Sequence, residues 1–173
     1  MAEEKATQAM SKLKKDRVDI DINPKRFLLE FTQGELKRLE EQPVEGLSDL
    51  DKEALEAVKK SHRANVEEYS KAQLKAIMVP LKYRDLQTVK NGIFEAIQAA
   101  KKYNWDDDVK IRAMMREEHT LTVYLSLRKK GDISKLYYDN LEDICAENDA
   151  AIDELYQTYL DNFVLTEAER KNS

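Results

Sequence analysis

The chain has 173 residues, 36% of them charged and 8% aromatic, with only seven glycines and prolines together, a composition that favours long helices over a turn-rich sheet protein. Its net charge of −5 offers no field for a phosphate backbone, and the basic cluster between residues 12 and 17 is short, so nucleic-acid partners are not expected. The longest uncharged apolar run, 76–81, falls far short of the roughly 20 residues that span a bilayer, and the first residues carry no apolar signal core, so no membrane is expected and the expected location is the cytoplasm.

Residues 1–17 lack an apolar stripe and fit either a frayed helix or a disordered arm. Val18-Asp-Ile-Asp-Ile22 alternates apolar and acidic residues with period two and ends at Asn23-Pro24. This short extended segment either pairs with the edge of a partner or lies along the helices. Phe27-Leu-Leu-Glu-Phe31 is an apolar anchor, and Thr32 with Glu35 has capping-box spacing for a short helix through Gln42, closed by Pro43. These pieces form an N-terminal arm, 1–47, before a helical domain, 48–173. Ser48 with Asp51 starts a long charged helix from Leu50 to Val79, about 45 Å if unbroken. Its stripe of Leu55, Val58, His62, Val66, Tyr69, Ala72, Ala76 and Val79 is narrow, with Glu56–Lys60 and Glu67–Lys71 as supporting pairs.

Pro80 breaks that helix, and Asp85 is placed to cap the next, where Leu86, Val89, Ile93, Ile97 and Ala100 share a face. After Tyr103-Asn104-Trp105, Asp106 or Asp107 caps a helix running to about Lys130, with Gly131 as its stop. Ile111, Met114, Met115, Leu121, Thr122 and Leu125 form its apolar face, and the two helices fold back as an antiparallel hairpin. A linker with Asp132 and Leu136-Tyr-Tyr138 leads to a short helix from Asn140 to about Ala146. A final helix, Asp149 to Phe163, turns Ile152, Leu155, Tyr156, Tyr159 and Phe163 inward, and Thr166-Glu-Ala-Glu169 starts one more turn. The expected fold class is all-α: a helical bundle with a central antiparallel hairpin, a long charged helix before it and a short extended N-terminal segment.

Chemistry-bearing patterns are sparse. His62 and His119 have no metal-ligand spacing, the four glycines are isolated and cradle no phosphate, and Cys145 reads as a buried structural thiol. No catalytic, cofactor-binding or metal-binding residue is nominated. Glu118 falls on the apolar stripe of its helix, so it either reaches solvent at an exposed end or meets a cation, Arg84 being the first candidate for a structural ion pair. Arg112 and Arg116 phase onto the outer side of that helix, as a solvated face or a docking surface. Tyr83 and Tyr124 suit core edges and interfaces alike. The candidate partner-binding residues are therefore Tyr83, Arg84, Arg112, Arg116 and Tyr124. Trp105 reads as a plug at the hairpin turn.

Leu81-Lys-Tyr-Arg-Asp85, Arg116-Glu-Glu-His-Thr-Leu-Thr-Val-Tyr-Leu-Ser-Leu-Arg128, Leu155-Tyr-Gln-Thr-Tyr-Leu160 and Leu165-Thr-Glu-Ala-Glu-Arg170 together resemble the small acidic helical proteins that act as tail assembly chaperones of tailed bacteriophages and prophages. The likeness covers about residues 80–170 and is one of general pattern. It implies a non-enzymatic protein in the host cytoplasm that binds the tape measure protein during tail morphogenesis and helps recruit tail tube subunits. The alternative is a structural virion or adaptor protein that forms a homo-oligomer through its long helix. An enzyme with a site assembled from scattered residues is the third class.

Overall fold

The computed structural model describes residues 15–164. The described chain folds as two compact units: Asp21–Leu74 forms one, and residues 15–20 with 75–164 form the other. The expected boundary at residue 47/48 falls inside the first of these, in the turn between its two helices.

The discontinuous unit holds most of a four-stranded antiparallel sheet in the order β1-β2-β3-β4, comprising β1 (Val18–Ile22), β2 (Leu74–Met78), β3 (Leu127–Lys129) and β4 (Asp132–Leu136). This corrects the all-α expectation: the chain is mostly helical but not purely so. The alternating 18–22 segment is indeed extended, yet it pairs within its own sheet instead of lying along helices or waiting for a partner's edge.

Two helices expected to be long end early, and both give way to strands. The segment before Pro80 stops being helical at Ser70, because Ala76, Ile77 and Met78 are consecutive and all buried. A helix would spread three successive side chains over about 200° and expose one, whereas a strand covered on both faces buries them all. Pro80 reinforces this by holding Val79 extended. The second helix ends at Ser126, not near Lys130. Leu127 then pairs opposite Met78, and Lys129 lies opposite Asp132, so Lys130 and Gly131 turn a β-hairpin where Gly131 had been expected to stop a helix.

Helices α3 (Tyr83–Lys102) and α4 (Asp107–Ser126) pack against each other as the expected hairpin. Asp85 caps α3 from inside its first turn, where its carboxylate accepts the Lys82 backbone N–H at 3.0 Å. The helices cross closely at Gly92. A Cβ there would strike Leu121 Cδ1 and come within 3.3 Å of Glu117 Cγ. Two further helices follow as expected: α5 (Leu141–Cys145), capped by Asn140, and α6 (Asp149–Phe163), capped by Asn148.

Ala76, Met78, Ala100, Val123, Leu127 and Ile144 are fully inaccessible, with Ile152 and Leu155 almost so. Burying a Leu, Ile or Met side chain of this kind contributes roughly 1.5–3 kcal/mol, so this cluster is the unit's main stabilising feature. Cys145 is exposed beside it, because the one-and-a-half turns of α5 turn Ile144 inward instead; the expected buried thiol is thereby corrected.

The continuous unit is a helical pair, α1 (Arg26–Glu40) and α2 (Asp49–Ser70). Ser48 caps α2 as expected, accepting the Asp51 backbone N–H at 3.2 Å. Helix α1, however, begins six residues before the expected capping box and carries Thr32 buried in its middle. The reason is that the apolar anchor Phe27–Phe31 is itself helical. Arg63 reaches Glu40 at 2.9 Å, and Asn23 Nδ2 donates to the Tyr69 carbonyl at 2.9 Å, so the pair is tied by polar bonds along its length. Thr32 and Lys59 are the buried residues of these helices. Lys59, not Val58, occupies the seam, and it pairs with Glu56 at 2.9 Å in place of the expected Glu56–Lys60 pair. The Glu67–Lys71 pair forms, at 2.6 Å.

Candidate partner-binding groove

The first half of α4 is amphipathic with its apolar residues only partly used. Val109, Ile111 and Met115 are exposed, whereas four successive residues of the second half, Thr120 to Val123, are buried. The helix therefore leaves the core as it is followed back toward its N-terminus, and the expected single apolar face from Ile111 to Leu125 is interrupted. Alongside this emerging half runs α6, and between them lies a groove of about 540 Å³. Val109, Ala113, Met115 and Ile152 supply its apolar surface, with Trp105 at one end.

Polar rungs tie the two helices together. Arg116 meets Asp149 at 2.5 Å, and His119 Nδ1 lies 2.7 Å from Asp153 Oδ1. A carboxylate can only accept, so the His119 proton on that side sits on Nδ1. These contacts advance in the same sense along both helices, one turn on each. The His119 ring also stacks on Tyr156, centroids 3.9 Å apart and planes 18° from parallel, and the Tyr156 hydroxyl donates to Glu118 Oε1 at 2.9 Å. Burial first, and then the Glu118 carboxylate, push the Tyr156 hydroxyl well above its ordinary titration range, so it remains a donor at neutral pH. Arg116 and Asp149 are half or more exposed, and in water-facing positions such pairs contribute little stability. Their effect here is to fix the groove's rim.

Among the sequence-derived candidates, Arg112 and Arg116 come together on this groove, while Tyr83, Arg84 and Tyr124 do not line it. Tyr83 and Arg84 are exposed on the first turn of α3, and Tyr124 is half-buried on the second half of α4. Glu118 does not meet Arg84: among the described residues no ion pair joins them, and the stripe position is satisfied by the Tyr156 phenol instead. A neutral donor suffices because Glu118 is only partly buried. The facing residues Asp149, Asp153 and Tyr156 were missed as groove formers. Their signal was present in Asp149/Asp153, an i, i+4 pair of carboxylates able to face Arg116 and His119 at i, i+3.

Among the described residues no group of three or more His, Cys, Asp or Glu side chains is placed to hold a metal ion, and no helix is long and apolar enough to cross a membrane. No family model matches the chain, and neither a curated protein nor a solved structure matches it.

Proposed function

We propose that this protein is a non-enzymatic helix-binding protein, and that its role is that of a tail assembly chaperone holding the tape measure protein during tail morphogenesis in the host cytoplasm. The observation that carries helix binding is the α4/α6 groove. Val109 and Ala113, one turn apart on α4, and exposed Met115 line it beside a second helix, a shape that accepts the apolar stripe of a third. Methionine suits a surface that must adapt to several apolar neighbours, since its thioether chain is flexible and polarizable. Assignment of the client as a tape measure protein rests on the sequence resemblance. Co-expression with a tape measure fragment tests it: the expected outcome is a soluble client that elutes with this chain. A client that stays insoluble, with no complex on elution, contradicts the proposal.

A second reading, an adaptor that forms homo-oligomers, draws on a different observation. Leu50 and Val58 of α2 and Phe27 and Phe31 of α1 are all exposed, the two phenylalanines at 58% and 62%. Residues four apart lie on one helix face, so Phe27 and Phe31 form a short apolar patch that a second copy can cover. Sedimentation equilibrium of the full chain separates the two readings, because a concentration-independent monomer excludes the adaptor.

A further inference from the structure

The polar groups around the groove are not evenly partnered. Arg116 is engaged by Asp149 and His119 by Asp153, whereas among the described residues that line the groove Arg112 is a cation without a carboxylate partner. Its Nε donates to the Asp108 carbonyl at 3.3 Å, which leaves the Nη fork for another acceptor. A guanidinium fork receives a carboxylate through two parallel hydrogen bonds, a geometry that an ammonium cannot reproduce. The groove lining thus offers one guanidinium fork open to an acceptor, in a chain whose net charge is −5.

The dimensions select the kind of occupant. Val109 to Met115 and His119 lie along α4 at 1.5 Å per residue, so the lined stretch is roughly 15 Å long, about three turns of a docked helix. Ala113, the smallest residue of the lining, sits midway and lets a second backbone approach. We propose that the groove takes an amphipathic helix that is acidic beside its apolar stripe, with Val109, Ala113 and Ile152 receiving the stripe and Arg112 receiving a carboxylate. This rests on the helix-binding reading above and adds the charge of the occupant. A basic helix meets Arg112 as a like charge, and the Asp149 and Asp153 carboxylates already accept hydrogen bonds from Arg116 and His119. The long-range field of an acidic chain is screened within about 8–10 Å at physiological ionic strength, so the local guanidinium decides the preference.

Two helical peptides of about 16 residues test this with the full chain. Both carry the same leucine stripe, and they differ only in having Glu or Lys at the positions flanking it. By fluorescence anisotropy the Glu peptide is expected to bind roughly tenfold more tightly or better, as a charge-assisted hydrogen bond implies. Arg112→Glu should reverse the preference, and Arg112→Lys should retain only part of it. Ala113→Trp, which fills the middle of the groove, should weaken both peptides together. Equal binding of the two peptides, or an equal effect of Arg112→Glu on both, overturns the charge assignment while helix binding stands. Undiminished binding of both by the Ala113→Trp protein overturns the location. Failure of the wild-type chain to bind either peptide overturns the proposal together with the reading on which it rests.

Discussion

The sheet unit and the helical pair Asp21–Leu74 use the same amino acids to opposite effect. In the first, β2, β3, α4 and α5 supply Met78, Leu127, Val123 and Ile144, which lose all contact with water. In the second, two helices face one another with no third layer. The residues of α1 and α2 that are buried are Thr32 and Lys59, while Phe27, Phe31 and Leu50 remain outside. His62 Nδ1 on α2 is buried with no hydrogen-bond partner, an unmet polar group of a kind that costs on the order of 1–3 kcal/mol. Two packed helices bury one stripe each, which is less than a layered unit buries. The pair is therefore held by polar bonds at its edges, and its opening should require less free energy than unfolding of the sheet unit.

The largest effect should come from truncating the sheet unit's core. Met78→Ala is expected to cost about 2–5 kcal/mol in urea unfolding, whereas Leu36→Ala, on the half-buried seam of α1, should cost about 1 kcal/mol. Equal losses would erase the contrast between the units. Next is the α3/α4 crossing. Gly92→Val places branched carbons against Leu121 and Glu117 and should cost about 1–3 kcal/mol, read as a fall in the urea midpoint at unchanged slope.

A change of opposite sign is expected at Lys59. It is an ammonium on a side chain only 9% exposed, paired with a well-exposed Glu56, so Lys59→Met keeps the length, removes the cost of burying charge and should stabilise the helical pair by about 1 kcal/mol. Hydrogen exchange confined to α1 and α2 reads this directly, and faster exchange there would contradict the account.

Alkaline pH gives the smallest and most graded test. The hydroxyls of Tyr138, Tyr156 and Tyr159 are raised above the ordinary value of 10.0, in each case chiefly by burial. Their folded forms hold protons that the unfolded chain releases above that value. Stability from these groups is therefore complete below about pH 10 and is lost as pH rises beyond it. Tyr156→Phe should make the alkaline decline shallower while costing about 1 kcal/mol at neutral pH through the loss of the donor to Glu118. A decline of unchanged steepness would show that Tyr156 is not among its causes.

Much of this was legible in the sequence, and the failures have a common origin. Helix α6 and the α3/α4 hairpin carried enough 3.6-residue phase, with capping residues at the starts of α3 and α6, to be read, and both form. The strands β2 and β3 were hidden because each directly follows a helix whose pattern can be extended into it. Ala72, Ala76 and Val79 continue the spacing of α2, and Gly131 offers a helix stop beyond β3 that invites the same extension of α4. The alternation between Val18 and Ile22 was the exposed clue, since one edge strand needs neighbours within the chain. At the groove, Arg112 and Arg116 could be nominated from helical phase alone. Their pairing with α6 required knowing which helix lies alongside α4, and sequence spacing carries no such information. Predictions that fell on residues 1–14 and on the turn after Thr166 lie outside the described residues.

The central claim, that the first half of α4 and the start of α6 form a helix-binding groove, is tested most directly by amide hydrogen exchange of the full chain with and without a co-expressed tape measure fragment. The account predicts slower exchange on binding across residues 109–119 and 149–153, with β2 and β3 unchanged. A complex that forms while exchange in those two segments stays as it was in the free chain would contradict it.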